Sequence, residues 1–238
     1  TVPKPVTFAK EKRVDWKELF EKLGSPIWLR VRQGAGGKLS LPCRNPSEIR
    51  LWMNLWINRG ETKLSDWIAQ EYIGGRDVAW DSLWFGGKLV TSYARERLEY
   101  PFRHMLPSGV GGTPTVSRII WDESLNETGE KSVLALDKQP HGFYCLDFKY
   151  REKPYVTEIN VGKAHTTLAL WSYSMVKELK LPWYANLPDL YVKIGLNNEI
   201  PDEVTQRNNL FPEGYYLLRH MDCGVFLWRE DGWTRRVL

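Results

Sequence analysis

Cysteine, histidine and long apolar runs are all scarce in this sequence of 238 residues. Its three cysteines, Cys43, Cys145 and Cys223, form no CxxC pair, which argues against a zinc knuckle or a disulfide framework and favours a reducing compartment. No apolar run approaches the roughly 20 residues of a membrane span, and no charged-then-apolar signal segment opens the chain. We therefore expect a cytoplasmic protein with no membrane partner.

Charge of one sign is also in short supply. The 33 basic and 29 acidic residues are interspersed and leave a net charge of only +4, so nucleic acid is not an expected partner, although a local anionic ligand fits. Hydrophobic residues make up 42% and charged residues 26%, as in ordinary globular proteins. Thr1 to Pro5 reads as an extended linker, and we expect a longer parent chain.

Residues 1–74 show the periodicities of a small mixed α/β lobe. Apolar spacing and end signals predict two helices, Asp15 to Leu23 and Asn45 to Trp56, and two strands, Ile27 to Arg32 and Asp66 to Ile73.

Residues 75–238 indicate a larger lobe based on antiparallel strands, so the expected fold class is α+β. Two strands flank a turn at Gly86-Gly87, and a second hairpin joins GFYCLDFKY to YVTEINVG. Between them we predict a loop at 107–114, a strand from Thr115 to Ile120 and a helix from Asp122 to Leu136. The segment from Leu187 onward predicts a helix and a β-hairpin packed on the outer face of the lobe, with no assigned chemistry.

The second hairpin carries the strongest chemical pattern. Glu158 and Asn160 share one strand face, and a hairpin can bring Asp147 opposite them. Mg²⁺ prefers such oxygen ligands and is commonly held by one or two carboxylates plus substrate phosphates. The spacing fits a metal site and a solvated polar face about equally.

The small lobe carries a basic strand that runs into a glycine-rich segment. Arg30 and Arg32 precede QGAGGK, whose backbone N–H groups and flanking cations suit phosphate. Neither GxxxxGK[ST] nor GxGxxG is present, so the segment taken alone favours a flexible hairpin connection over a phosphate loop.

The junction between the proposed lobes is Glu71-Tyr72-Ile73-Gly74-Gly75, followed by Arg76 and Asp77. Its glycines allow hinge motion, its strand offers backbone groups to an adenine, and Asp77 suits ribose hydroxyls. An ordinary crossover with a surface aspartate explains the same residues.

Two arginines on one strand face, Arg95 and Arg97, form a candidate clamp for phosphate or an acidic substrate, or they pair with Glu96 or Glu99. The four histidines lack metal-ligand spacing and are assigned structural roles.

The basic strand with its glycine loop, EYIGG, GTPT, LDFK and TEIN, in this order, resemble the ATP-grasp superfamily. The similarity is to carbamoyl-phosphate-synthase-like members, whose glycine loop also follows an arginine and whose last strand also carries Glu-x-Asn. It spans roughly Pro3 to Thr167 by motif order. The resemblance implies two lobes that clasp a nucleotide, with ATP and Mg²⁺ as cofactors.

The resemblance also implies roles for individual residues. Arg30 would contact phosphate, with Gly34, Gly36, Gly37 and Lys38 forming the loop around it. Adenine would be held at Glu71, Tyr72 and Ile73, and ribose at Asp77. Asp147, Glu158 and Asn160 would match the magnesium ligands. Gly162 stands where a basic residue often lies, so Lys163, or Arg95 and Arg97, would take that catalytic role.

Related enzymes carry a further N-terminal domain, so the acceptor pocket is expected to need that domain or a partner chain. The primary hypothesis is a ligase that phosphorylates a carboxylate to an acylphosphate, which an amine or other nucleophile then attacks. The alternatives are an ATP-binding regulatory or assembly subunit without turnover, and a polyanion-binding module.

Overall fold

The computed structural model describes residues 1–8, 14–34, 37–109, 111–205 and 207–238. The chain divides into two compact units, one formed by Val2–Gly74 with Tyr100–Gly112 and the other by Gly75–Glu99 and Thr113–Leu238 together with Thr1. No helix in the described part of the chain is both long and apolar enough to cross a membrane.

The first unit is a four-stranded antiparallel sheet with two helices. Its elements are β1 (Pro5–Thr7), α1 (Trp16–Leu23), β2 (Ile27–Val31), β3 (Leu41–Cys43), α2 (Pro46–Asn58) and β4 (Trp67–Glu71). The strand order is β1-β4-β2-β3. Both predicted helices and both predicted strands are confirmed, and Pro5, expected in a linker, begins β1.

Local capping explains where these helices begin. The carboxylate of Asp15 accepts from the N–H groups of Lys17 and Glu18 at the start of α1. The side chain of Asn45 accepts from Glu48 N–H at the start of α2, whose first residue is proline. Each helix then buries its apolar face in one core with Ile27.

The second unit is built on a larger sheet. Its elements are β5 (Arg76–Phe85), β6 (Lys88–Glu99), β7 (Val116–Ile120), α3 (Glu123–Leu136), β8 (Gly142–Tyr150), β9 (Pro154–Val161), α4 (Leu168–Leu179), α5 (Leu187–Asn197), β10 (Tyr215–His220), β11 (Gly224–Arg229) and β12 (Thr234–Arg236). Among the described residues the strands form an eight-stranded sheet, in the order β12-β11-β10-β7-β6-β5-β8-β9.

Strand alternation gives this sheet two faces with separate cores. Trp80 and Trp84 of β5 pack with Leu125 and Val133 of α3 in one core. Leu83, one residue from Trp84, belongs to the other core, which the apolar residues of α4 and α5 complete. Asp77, Ala79 and Asp81 therefore lie on the face covered in part by α4 and α5.

The C-terminal helix and hairpin are confirmed as α5, β10 and β11. The expectation that the hairpin packs on the outer face is wrong, because β10 pairs with β7 and extends the sheet. Leu217 and Leu227 are buried in the core. A further helix, α4, occupies a stretch for which the sequence predicted no element.

Candidate functional site

The hairpin of β8 and β9 places the predicted magnesium ligands together. Asp147 is the register partner of Glu158, and Cys145 is the partner of Asn160. Residues directly opposite on antiparallel strands project to the same side, so Asp147, Glu158 and Asn160 share one face. The register shifts after Asp147, where the Thr157 hydroxyl donates to the Asp147 carbonyl at 3.0 Å.

Asp147 sits between two nitrogen-bearing side chains. Its Oδ1 forms an ion pair with Arg97 and lies 3.1 Å from His165 Nε2. Burial opposes ionisation of this carboxyl, but the charge of Arg97 and the contact with His165 outweigh burial. The pKa of Asp147 is therefore held well below its ordinary value, and the carboxylate is charged at neutral pH.

A second carboxylate, that of Asp81, also contacts His165 and is fully buried. Its Oδ2 pairs with the guanidinium of Arg95, and its Oδ1 contacts Nδ1 of His165. Burial lowers the pKa of His165 from its ordinary value, and the nearby arginines lower it further against the raising effect of Asp147. Sequence reasoning did not single out Asp81, and it gave His165 only a structural role.

Cys145 lies close enough to Asp81 and His165 for one ligand atom from each to lie within 4.8 Å of the others. This trio is a poor metal site for two reasons. Asp81 is already neutralised by Arg95, and burial raises the pKa of Cys145 to about 11, which opposes the thiolate that a metal needs. The group is better described as an internal charge network.

Both arginines of β6 form ion pairs with aspartates of other strands of the sheet. Arg95 and Arg97 pair with Asp81 and Asp147, whereas Glu96, on the opposite face, pairs with Arg118 at 2.9 Å. Only 1% of the Arg95 side chain is exposed, and it contacts Asp81 and the Tyr93 hydroxyl. Arg97, 11% exposed, lies beside the candidate metal ligands.

The other predicted residues of the larger unit lie on these strands or just beyond their ends. Asp77 Oδ1 is 2.9 Å from Lys149 Nζ, so the candidate ribose contact already has a cation beside it. Lys163 is exposed, just past the end of β9. Gly75 has φ +102°, and a Cβ there would lie 2.3 Å from the Tyr150 carbonyl oxygen, which explains this glycine by close packing.

The predicted phosphate-binding residues lie in the first unit. Arg30 is half-buried on β2, and its Nε has no hydrogen-bond partner among the described residues. Gly34 follows β2, Gly37 has φ +69°, and Gly36 lies outside the described residues. Lys38 Nζ is 3.5 Å from Glu61 Oε2.

The predicted adenine contacts lie at the end of β4. The backbone N–H of Glu71 donates to the Lys4 carbonyl, so that group is already used. Tyr72 is exposed, with its ring 6.1 Å from that of Trp28, and Ile73 follows it beyond the strand.

Solved structures similar to this chain are ligases and related synthases. The D-alanine–D-alanine ligase of Bacillus anthracis complexed with ATP has a TM-score of 0.53 and 20% identity, over 83% of this chain and 61% of that one. The N5-carboxyaminoimidazole synthase of Aspergillus clavatus, in complex with ADP and 5-aminoimidazole ribonucleotide, has a TM-score of 0.62 and 12% identity, over 92% and 52%. The L-amino acid ligase of Bacillus licheniformis has a TM-score of 0.54 and 14% identity, over 91% and 48%.

This chain has the ATP-grasp fold. It spans less than two thirds of the length of each of these structures. No protein-family model matches it, and no curated protein matches it in sequence.

The hairpin residues of this ATP-grasp fold suit Mg²⁺ by the chemistry of their donors. Asp147 is held ionised, Glu158 is exposed, and Asn160 offers a carboxamide, so the set is made of oxygens. Asn160 Nδ2 donates to the Cys145 carbonyl at 3.4 Å, a bond that uses the nitrogen and not the oxygen. These three residues would hold the ion.

Proposed function

We propose that this chain is the ATP-binding and catalytic part of an ATP-dependent carboxylate ligase of the carbamoyl-phosphate-synthase-like type. One observation carries the proposal. The ionised Asp147 lies directly opposite Glu158 on the neighbouring strand, with Asn160 on the same face and Arg97 beside Asp147. This combination of carboxylate ligands with an adjacent fixed cation suits the charge that develops on a transferred phosphoryl group.

The proposed reaction has two steps. A carboxylate oxygen of the substrate bonds to the γ-phosphorus of ATP as the bond to the β,γ-bridging oxygen breaks, which releases ADP and leaves an acylphosphate. An amine or other nucleophile then attacks the acyl carbon, and inorganic phosphate departs with the electron pair of the broken C–O bond.

The chain's own residues mainly position groups and balance charge. Bound Mg²⁺ would neutralise phosphate oxygens. Asp147, Glu158 and Asn160 would hold the ion, and Arg97 would stay beside the transferred phosphoryl group. Lys163 and Arg30 belong to the same proposal as catalytic residues near the phosphates. Its nucleotide-binding residues are Arg30, Gly34, Gly36, Gly37, Lys38, Glu71, Tyr72, Ile73 and Asp77. Arg95 is included as a residue that acts through Asp81.

One observation favours a second candidate, a nucleotide-binding subunit without turnover. Arg97 is ion-paired with Asp147, so a protein cation already sits at a proposed metal ligand. In that case the chain would bind nucleotide without Mg²⁺ and would form no ADP.

The test is isothermal titration of ATP into the chain with Mg²⁺ and, separately, with EDTA. Glu158→Ala should abolish the Mg²⁺-dependent part of binding. Glu152→Ala is the matched control, because Glu152 is an exposed glutamate in the turn of the same hairpin.

Each outcome separates the candidates. Mg²⁺-dependent binding that only Glu158→Ala removes, together with ADP formation in a screen of carboxylates and amines, supports the ligase. Binding that EDTA leaves unchanged supports the silent subunit. Binding that weakens steeply with salt and is indifferent to both substitutions would point to a polyanion module instead.

A further inference from the structure

His165 is held between two carboxylates of the larger unit. Its Nδ1 contacts Asp81 Oδ1, and its Nε2 lies 3.1 Å from Asp147 Oδ1. Asn160 Nδ2 is 3.5 Å from the same Nε2. The imidazole therefore touches two of the three proposed metal ligands and is itself absent from the ligand set.

The far side of the imidazole is fixed by a rigid support. Asp81 is fully buried in β5, where its register partners are Tyr93 of β6 and Cys145 of β8. Its two oxygens are divided between Arg95 and His165. Rotation of the His165 ring would take its Nδ1 away from Asp81, leaving a buried carboxylate without one of its contacts, which is costly.

The charges around the ring are balanced. Asp81 and Asp147 carry two negative charges, and Arg95 and Arg97 carry two positive ones, within one connected set of contacts. His165 adds direction to this set, because its planar ring lies between the buried pair and the mostly buried pair, and one ring nitrogen donates while the other accepts.

We propose that His165, supported by Asp81, is a positioning residue that fixes Asn160 and Asp147 relative to each other, and thereby sets the affinity of the site for a divalent cation. This proposal rests on the proposed function, since it assigns Asp147 to the cation. Outer partners that orient a ligating side chain typically contribute 10- to 100-fold to metal affinity, and we expect an effect of that size here.

The first experiment tests the contact itself and needs neither metal nor activity. The ring nitrogens of His165 are followed by ¹H–¹⁵N NMR in wild type, Asp147→Asn and Asp81→Asn. Both substitutions should shift the His165 signals, and the signals of His141, an exposed histidine that packs against Phe85, should stay in place. Unshifted His165 signals in both variants would overturn the proposal.

The second experiment measures Mn²⁺ affinity by electron paramagnetic resonance in the presence of ADP. His165→Phe keeps the ring volume without polar atoms and should weaken Mn²⁺ about 10- to 100-fold. His165→Gln places a carboxamide, with both an acceptor and a donor atom, near the position of Nε2 and should recover part of that loss. His141→Gln is the matched control and should bind Mn²⁺ as wild type does.

Metal-free binding of ADP should change less than about twofold in these variants, because the positioning acts on the cation. Should His165→Phe fail to fold, as judged by circular dichroism, the glutamine variant carries the comparison. Wild-type affinity for Mn²⁺ in both His165 variants would overturn the positioning role while leaving the ligase proposal intact. Wild-type protein that binds no Mn²⁺ would overturn the cation site and this inference together, even with the NMR contact present.

Discussion

Replacing Gly129, inside helix α3, by alanine should change the stability of the protein, and packing decides whether stability rises or falls. Built onto this glycine, a Cβ would lie 2.7 Å from Cδ2 and Cε3 of Trp80 and 3.0 Å from Cε2. Trp80 is fully buried in β5, and its Nε1–H donates to Asn126 of the same helix at 3.1 Å. The indole is therefore held from two sides and has little room to retreat.

Two opposing terms set the magnitude of Gly129→Ala. Alanine is favoured over glycine in a helix by about 0.8–1.0 kcal/mol. Extra atoms forced into a packed core cost about 1–3 kcal/mol, and contact with the face of a fixed ring lies in the upper part of that range. We expect the steric term to prevail and the variant to be about 1–2 kcal/mol less stable.

A matched substitution isolates the steric term. Gly195 lies inside α5, its φ is not in the positive region, and a Cβ built there meets no atom within 4 Å. Gly195→Ala should therefore gain up to about 1 kcal/mol.

The assay is thermal unfolding followed by circular dichroism. At about 2–4 °C per kcal/mol for chains of this size, Tm should fall about 2–8 °C for Gly129→Ala and rise for Gly195→Ala. A rise of Tm in both variants would refute the packing argument.

Two more predictions follow from the surroundings of single groups. Burial raises the pKa of Cys145 to about 11 and that of Cys43 to about 12. Iodoacetamide at about pH 8 should therefore alkylate the exposed Cys223 first, as measured by peptide mass spectrometry. Fast labelling of Cys145 in the native protein would contradict the structure. Because the folded-state pKa of Asp147 is depressed, its carboxylate stabilises the fold above the unfolded pKa of about 3.9, and this contribution is lost as the pH falls below that value. Asp147→Asn should therefore be less stable than wild type at pH 7, with a gap in urea unfolding that narrows below about pH 4.

The elements that the sequence predicted well have clear ends. Asp15 and Asp122 cap α1 and α3 with their own side chains, and Gly86-Gly87 turns the first long hairpin. Helix α4 has no such signal, because Thr167 makes no capping hydrogen bond and LALWSYSMVKEL carries apolar residues around most of its circumference. A helix without a polar face lacks the periodic contrast that pattern reading needs.

The residues of the candidate site also fall into those that the sequence could predict and those that it could not. Asp147, Glu158 and Asn160 lie on two strands joined by a short turn, so alternation alone predicts a common face. Asp81 and His165 are 84 residues apart, and only the order of strands in the folded sheet brings them together. A local signal for Asp81 did exist, since a carboxylate in the middle of the apolar run AWDSLW must have a buried partner.

The edge strand β12 of the large sheet also affects whether copies of the protein associate at high concentration. β12 has only three residues, all exposed, and two of them are Arg235 and Arg236. An unpaired strand border presents backbone N–H and C=O groups to which another chain can add. An edge strand this short offers few backbone groups for pairing. Its adjacent arginines would also repel the same arginines of a second copy, so the sheet is protected from growing into fibres.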